Sequence, residues 1–213
     1  MLFGEKPKKS IKGSLLVGRL QFIKHLNLNW MEILKQMRME ADNDLKSLVR
    51  SNFALEEYFA TPDFMVRGLS AATWYPATLY NGMIRGMIIQ ASKEKGLTAE
   101  DVCKQSGRFT AEQHLRGIMS FVLNWGSIER TISLISKGWA AYYSGGEIRN
   151  VKNTVGEAQV DVVIDYLIPE LQFVTVGYFE KVMEKKNAAN FSIRSGYTKE
   201  EGGTFHYYFK WDA

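Results

Sequence analysis

Residues 204–211 read TFHYYFKW. Phe205, Tyr207, Phe209 and Trp211 alternate with Thr204, His206, Tyr208 and Lys210. A period of two puts the four rings on one face of an extended segment and the other four side chains on the opposite face. Four large rings on one face need a cover, so this segment belongs to a sheet with one buried side. A nucleic-acid stacking platform would need the same rings exposed. The preceding NFSIRSGY offers Phe191 and Ile193 to the buried face, and TKEEGG joins the two segments as a hairpin. His206 falls on the other face, beside Tyr208.

The rest of the chain has to supply the cover. EIRNVKN and AQVDVVID, with Gly156 between them, predict another hairpin from about residue 147. Between the hairpins, Leu167, Leu171, Val174, Tyr178 and Val182 share a face of a helix, for which Asp165 is the expected cap. Upstream of residue 147 the spacing is helical. Leu16, Leu20 and Ile23 lie on one face; NWMEILKQM and DNDLKSLVRS predict short helices capped by Asn29 and Asp42. Pro62, Gly68 and Pro76 mark a loop that includes TWYP. A helix over about 77–94 follows, closed by Gly96. TAED and TAEQ resemble capping boxes, so Thr98 and Thr110 are expected to start two further helices, the second with Leu115, Ile118, Phe121 and Val122 inward. Ser127 caps one more, through GWAAYY to Gly145–Gly146.

The fold class is therefore α+β: an N-terminal helical layer packed on a small antiparallel sheet, in the order helices–β–β–α–β–β. Residues 1–12 read as a polar lead-in. Residues 13–213 read as one ligand-binding-like domain, helical over 13–146 and sheet-containing over 147–213.

Bulk properties exclude more than they assign. The net charge of +4 gathers near EKPKKSIK and no basic stripe follows, so nucleic acid is not an expected partner. The single cysteine, Cys103, forbids an internal disulfide and fits a cytoplasmic location. No signal-peptide h-region and no membrane-spanning run is present; GMIRGMIIQA is interrupted by Arg85. The three histidines, His25, His114 and His206, have no metal-ligand spacing, and there is no nucleophile elbow, P-loop or dinucleotide fingerprint. No catalytic residue, metal or cofactor is assigned, and the protein is expected not to be an enzyme. Gly82 and Gly86 form a small-x-x-x-small stripe suited to close helix packing. Nine Met and 13% aromatic residues are many. TWYP and GWAAYY place large rings at helix ends, where they close a core or line a cavity.

IKGSLLVGRLQF, TWYP, GWAAYYSGGE and VGYFEKVMEKKNAANFSIRSG…GGTFHYYFKW occur in that order. In this the chain resembles an uncharacterised paralogous family first noticed in myxobacteria, over residues 11–211, with 41–70 the least familiar part. That family's C-terminal half is similar to 4-vinyl-reductase-like small-molecule-binding domains, which share a fold group with haem nitric-oxide sensors and Bet3-type trafficking subunits. The resemblance implies a mixed helical and antiparallel-sheet domain, an apolar ligand between helices and sheet, and dimers. Two departures limit it. Some vinyl-reductase-like relatives carry zinc-binding cysteines near the positions of Ser195 or Gly196, and of Thr204, and FSIR is not the Tyr-x-Ser-x-Arg of the haem sensors.

The expected function is a cytoplasmic small-molecule-binding or sensory domain that signals through a protein partner or a homodimer. Its ligand-binding wall residues are Trp74, Tyr75, Met83, Met87, Trp125, Trp139 and Tyr143. The alternative is a protein-interaction or scaffold module whose core is filled by side chains.

Overall fold

The computed structural model of the protein describes residues 8–51, 70–116, 126–200 and 202–212. Its elements are β1 (Ser10–Lys12), α1 (Gly13–His25), α2 (Trp30–Ser51), β2 (Trp74–Pro76), α3 (Ala77–Lys95), α4 (Ala99–His114), α5 (Ile128–Gly138), β3 (Glu147–Thr154), β4 (Glu157–Val163), α6 (Leu171–Lys185), β5 (Ser192–Thr198) and β6 (Thr204–Lys210). The chain divides into two compact units: Met1–Ala99 with Ala141–Ser144, and Glu100–Ala140 with Gly145–Ala213.

In the first unit β1 pairs antiparallel with β2, so that Ile11 lies opposite Tyr75 and Lys12 opposite Trp74. On its other side Ile11 bridges to Tyr143. The Ser10 and Ser144 hydroxyls meet at 2.9 Å, and the Lys12 N–H donates to the Tyr142 carbonyl at 2.7 Å. Ser10–Lys12, read above as the end of a polar lead-in, is thus a strand, with Ile11 fully buried. Trp74–Pro76, read as loop, is its partner. Three residues are too short for a period to show, and pairing with distant segments decides both.

Helices α2 and α3 cross closely, for the reason the glycine stripe suggests. A Cβ on Gly82 would stand 3.1 Å from the Met37 Cα, and one on Gly86 3.0 Å from the Ile33 Cα. The Asn29 carboxamide oxygen accepts from the backbone N–H of Met31 and Glu32 and so caps α2. Ala41 leaves the helical region (φ −143°, ψ 36°) immediately before Asp42, where a second helix was expected. Gly96 ends α3 in the left-handed conformation.

In the second unit the four-stranded sheet has the order β3-β4-β6-β5, antiparallel throughout. Phe205, Tyr207, Phe209 and Trp211 are all buried, as their alternation requires. Helix α6 supplies part of their cover: the Phe179 and Phe209 rings meet edge to face at 4.9 Å. α4 and α6 touch backbone to backbone through reciprocal glycines. A Cβ on Gly107 would lie 2.0 Å from the Val174 carbonyl oxygen, and one on Gly177 2.1 Å from that of Lys104.

Three expectations about element ends need correction. Thr110 starts no helix; it lies inside α4, where its hydroxyl donates to the Ser106 carbonyl. The box-like TAEQ is simply continued helix. Asp165 does not cap α6, which begins at Leu171 after a turn-rich segment with Glu170 in the cap position. Ser127 caps α5 as expected, accepting from the Arg130 N–H, but the helix stops at Gly138 and gives way to a 3-10 turn over Trp139–Ala141. Tyr143 is therefore in extended pairing rather than on a helix. Ile118, Phe121 and Val122 lie outside the described residues.

Candidate functional site

Four of the seven expected wall residues gather in the first unit on two adjoining elements. Trp74 and Tyr75 sit on β2; Met83 and Met87 sit on α3, which follows it, and both Met are buried. Tyr143 joins them through its bridge to Ile11, the residue opposite Tyr75. The local chemistry fixes two of the rings. The Lys12 ammonium stands 4.8 Å from the centre of the Trp74 ring, a cation–π contact. The Tyr75 hydroxyl accepts from the Ser70 N–H at 3.1 Å, and its ring lies where a Cβ on Gly13 would be. Trp139, half-buried, belongs to the second unit. Trp125 lies outside the described residues.

Two polar groupings escaped the sequence reading. Arg19 is almost fully buried on α1. Its Nε–H donates to the Tyr80 hydroxyl at 3.1 Å. A signal was present, since Arg19 falls within the stripe of Leu16, Leu20 and Ile23. The second grouping is a hydrogen-bonded chain across three strands. Asp161 on β4 holds the His206 Nδ1 at 2.9 Å, and the His206 Nε2 meets the Thr198 hydroxyl of β5 at 3.1 Å. Asp161 and His206 are direct cross-strand partners. The two residues are 45 apart in sequence, and only the register brings them together.

This chain edges a groove of about 560 Å³ on the face of the sheet opposite the four buried rings. Gly196 faces His206 in the ladder, and a Cβ placed there would meet nothing within 4 Å. Arg194 and Lys210, both exposed, lie to one side; the half-exposed Tyr208 is the direct cross-strand partner of Arg194, and Lys210 follows two residues along β6, opposite Ser192. Among the described residues lining the groove there is no carboxylate.

Cys103 is fully buried in α4, which denies a substrate access to its thiol. Among the described residues no group of three His, Cys, Asp or Glu is arranged to hold a metal ion, and no helix is long and apolar enough to cross a membrane.

A four-stranded antiparallel sheet with helices packed on its ring-bearing face, preceded by a helical unit, defines the architecture. This chain is similar in structure to solved H-NOX proteins. An Fe(II) unliganded H-NOX mutant from K. algicida matches with a TM-score of 0.62 over 95% of this chain and 97% of its own, at 10% identity. A Tt H-NOX variant matches at 0.56 over 95% of both chains, at 9% identity. An H-NOX structure from a study of haem distortion matches at 0.52 over 84% of this chain and 92% of its own, at 11% identity. The chain has an H-NOX-like fold. No family model and no curated protein matches it in sequence.

That fold group implies haem, and neither His206 nor His25 fits an axial ligand. An axial ligand needs a ring nitrogen open toward an apolar pocket. His206 has both nitrogens engaged on the polar face of the sheet. His25 is exposed at the end of α1. His114, at the end of α4, lies edge-on to Tyr178 with ring centres 6.0 Å apart, beside the small cluster of Ala111, Leu115 and Val182.

Proposed function

We propose that this chain is a non-enzymatic, cytoplasmic sensory domain that binds a small apolar molecule other than haem and signals through a protein partner or a second copy. The observation that carries the reading is the likeness to H-NOX structures along nearly the whole of both chains. A shared fold does not transfer function by itself, so support also comes from this chain's residues. Met83 and Met87 bring adaptable thioethers. Trp74, Tyr75 and Tyr143 bring rings to the neighbouring ribbon; Trp125 and Trp139 are the further wall residues expected from the sequence. The ordered motifs support kinship with the myxobacterial family and with vinyl-reductase-like domains. Ligand occupancy would act by population shift, favouring the conformation that binds it better.

Titration of the full chain with the neutral dye Nile red tests the wall. The expected result is saturable one-to-one binding with a blue-shifted emission, weakened several-fold by Trp74→Ala and by Trp139→Ala. Non-saturating binding, or binding indifferent to both changes, contradicts it and favours the side-chain-filled interaction module. The non-enzymatic part has its own test. The carboxylate–imidazole–hydroxyl order of Asp161, His206 and Thr198 is also that of an activated nucleophile. No Thr198-dependent release of nitrophenol from 4-nitrophenyl acetate is expected; release that disappears in Thr198→Ala contradicts this part.

A further inference from the structure

We infer that the groove on the polar face of β5 and β6 is a second ligand site, for a small aromatic oxyanion such as an aryl phosphate or aryl carboxylate. Charge selects the ligand class. Arg194 and Lys210 flank the groove, and no carboxylate among the described residues lines it. Lys210 lies opposite Glu157, whose carboxyl is held below the usual range first by its hydrogen bond to Lys152. That carboxylate pairs with Lys152, on the far side of β4, and Lys210 is only its weaker, coulombic partner. Asp161 is likewise engaged, holding the His206 Nδ1 at 2.9 Å. Arg194 offers the planar fork that grips an oxyanion with two parallel hydrogen bonds.

Shape selects the aromatic part. Gly196 has an ordinary strand conformation rather than a positive φ, so no turn or strain demands glycine there. Its missing side chain leaves open space opposite His206 on the groove face, where a flat ring could lie. Tyr208, 46% exposed, presents a ring beside that opening. The Asp161–His206–Thr198 chain fixes the Thr198 hydroxyl at the rim as a hydrogen-bonding group. The site lies wholly in the second unit and does not depend on the interior ligand proposed above.

Calorimetric titration of the full chain with phenyl phosphate, alongside inorganic phosphate, tests the inference. Phenyl phosphate is expected to bind saturably and more tightly than inorganic phosphate. Arg194→Gln is expected to weaken it about tenfold or more, the scale of a lost charge-assisted hydrogen bond. Gly196→Leu is expected to abolish binding by filling the opening; its Cβ has free space and the backbone suits it, so the variant should fold, as its thermal melt will show. Absence of saturable binding, equal affinity for the two phosphates, or unchanged affinity in Gly196→Leu each overturns the assignment.

Discussion

At the scale of single residues, Tyr207 is the group whose environment departs furthest from water. Burial beneath α6 pushes its phenol far above the ordinary value of 10.0, opposed only partly by a hydrogen bond with Thr175. The sign follows directly. In the unfolded chain the phenol ionises near its ordinary value, whereas the folded chain keeps the proton, so the folded state binds more protons above that pH. Tyr207 therefore contributes stability that is fully present below pH 10 and is lost as pH rises beyond it, by at most about 1.4 kcal/mol per pH unit. Tyr207→Phe removes the titration at the cost of one hydrogen bond, about 1 kcal/mol near neutral pH. Urea unfolding of both proteins from pH 7 to pH 11 should show the variant's deficit shrinking above pH 10. A constant deficit across that range would contradict the buried-phenol account. The burial of Tyr207 was legible in the sequence, because alternation with Thr204, His206, Tyr208 and Lys210 leaves it no other face. The partners of His206 were not. Asp161 and Thr198 reach it through strand register, which no local pattern encodes.

At the scale of elements, two helix crossings rest on glycine, and only one was readable. Gly82 and Gly86 share a helix at a spacing of four, so they form a visible stripe. Gly107 and Gly177 stand alone on separate helices and become a pair only when α4 meets α6. Their contact is the tighter of the two, with a Cβ on Gly107 2.0 Å from a carbonyl oxygen. Gly107→Ala must force the helices apart and is expected to cost about 3 kcal/mol, read as a fall in the urea midpoint. Gly138→Ala, where a Cβ meets nothing within 4 Å, should change it little. Equal effects at the two positions would contradict the close crossing. The caps divide by the same logic. Asn29, Ser127 and Gly96 act through groups within a few residues and were legible. Thr110 carries similar local letters, but Ala111 and Leu115 pack against Val182 of α6 and the helix simply continues. β1 and β2 were missed because each is three residues long and exists by pairing with the other.

At the scale of the whole molecule, the sheet hairpins, the helix between them and the α+β class follow from period and turn chemistry. The likeness to H-NOX structures extends the fold comparison over 95% of the chain. The proposed function was less legible. Trp74, Tyr75, Met83, Met87 and Tyr143 come from β2, α3 and the segment around Tyr143, and their grouping in the first unit is a property of strand pairing rather than of sequence spacing. The proposal separates fold from cofactor: an H-NOX-like frame, with both His206 nitrogens engaged within the sheet, used for an apolar ligand that is not haem. Native mass spectrometry of the full chain, purified from cells supplied with haem precursor, tests this most directly when paired with an absorption spectrum and a denatured control. The account predicts excess mass from a retained small organic molecule, released on denaturation, with no Soret band. A Soret band accompanied by the mass of haem, or a native mass equal to the bare chain or its bare dimer, would contradict it.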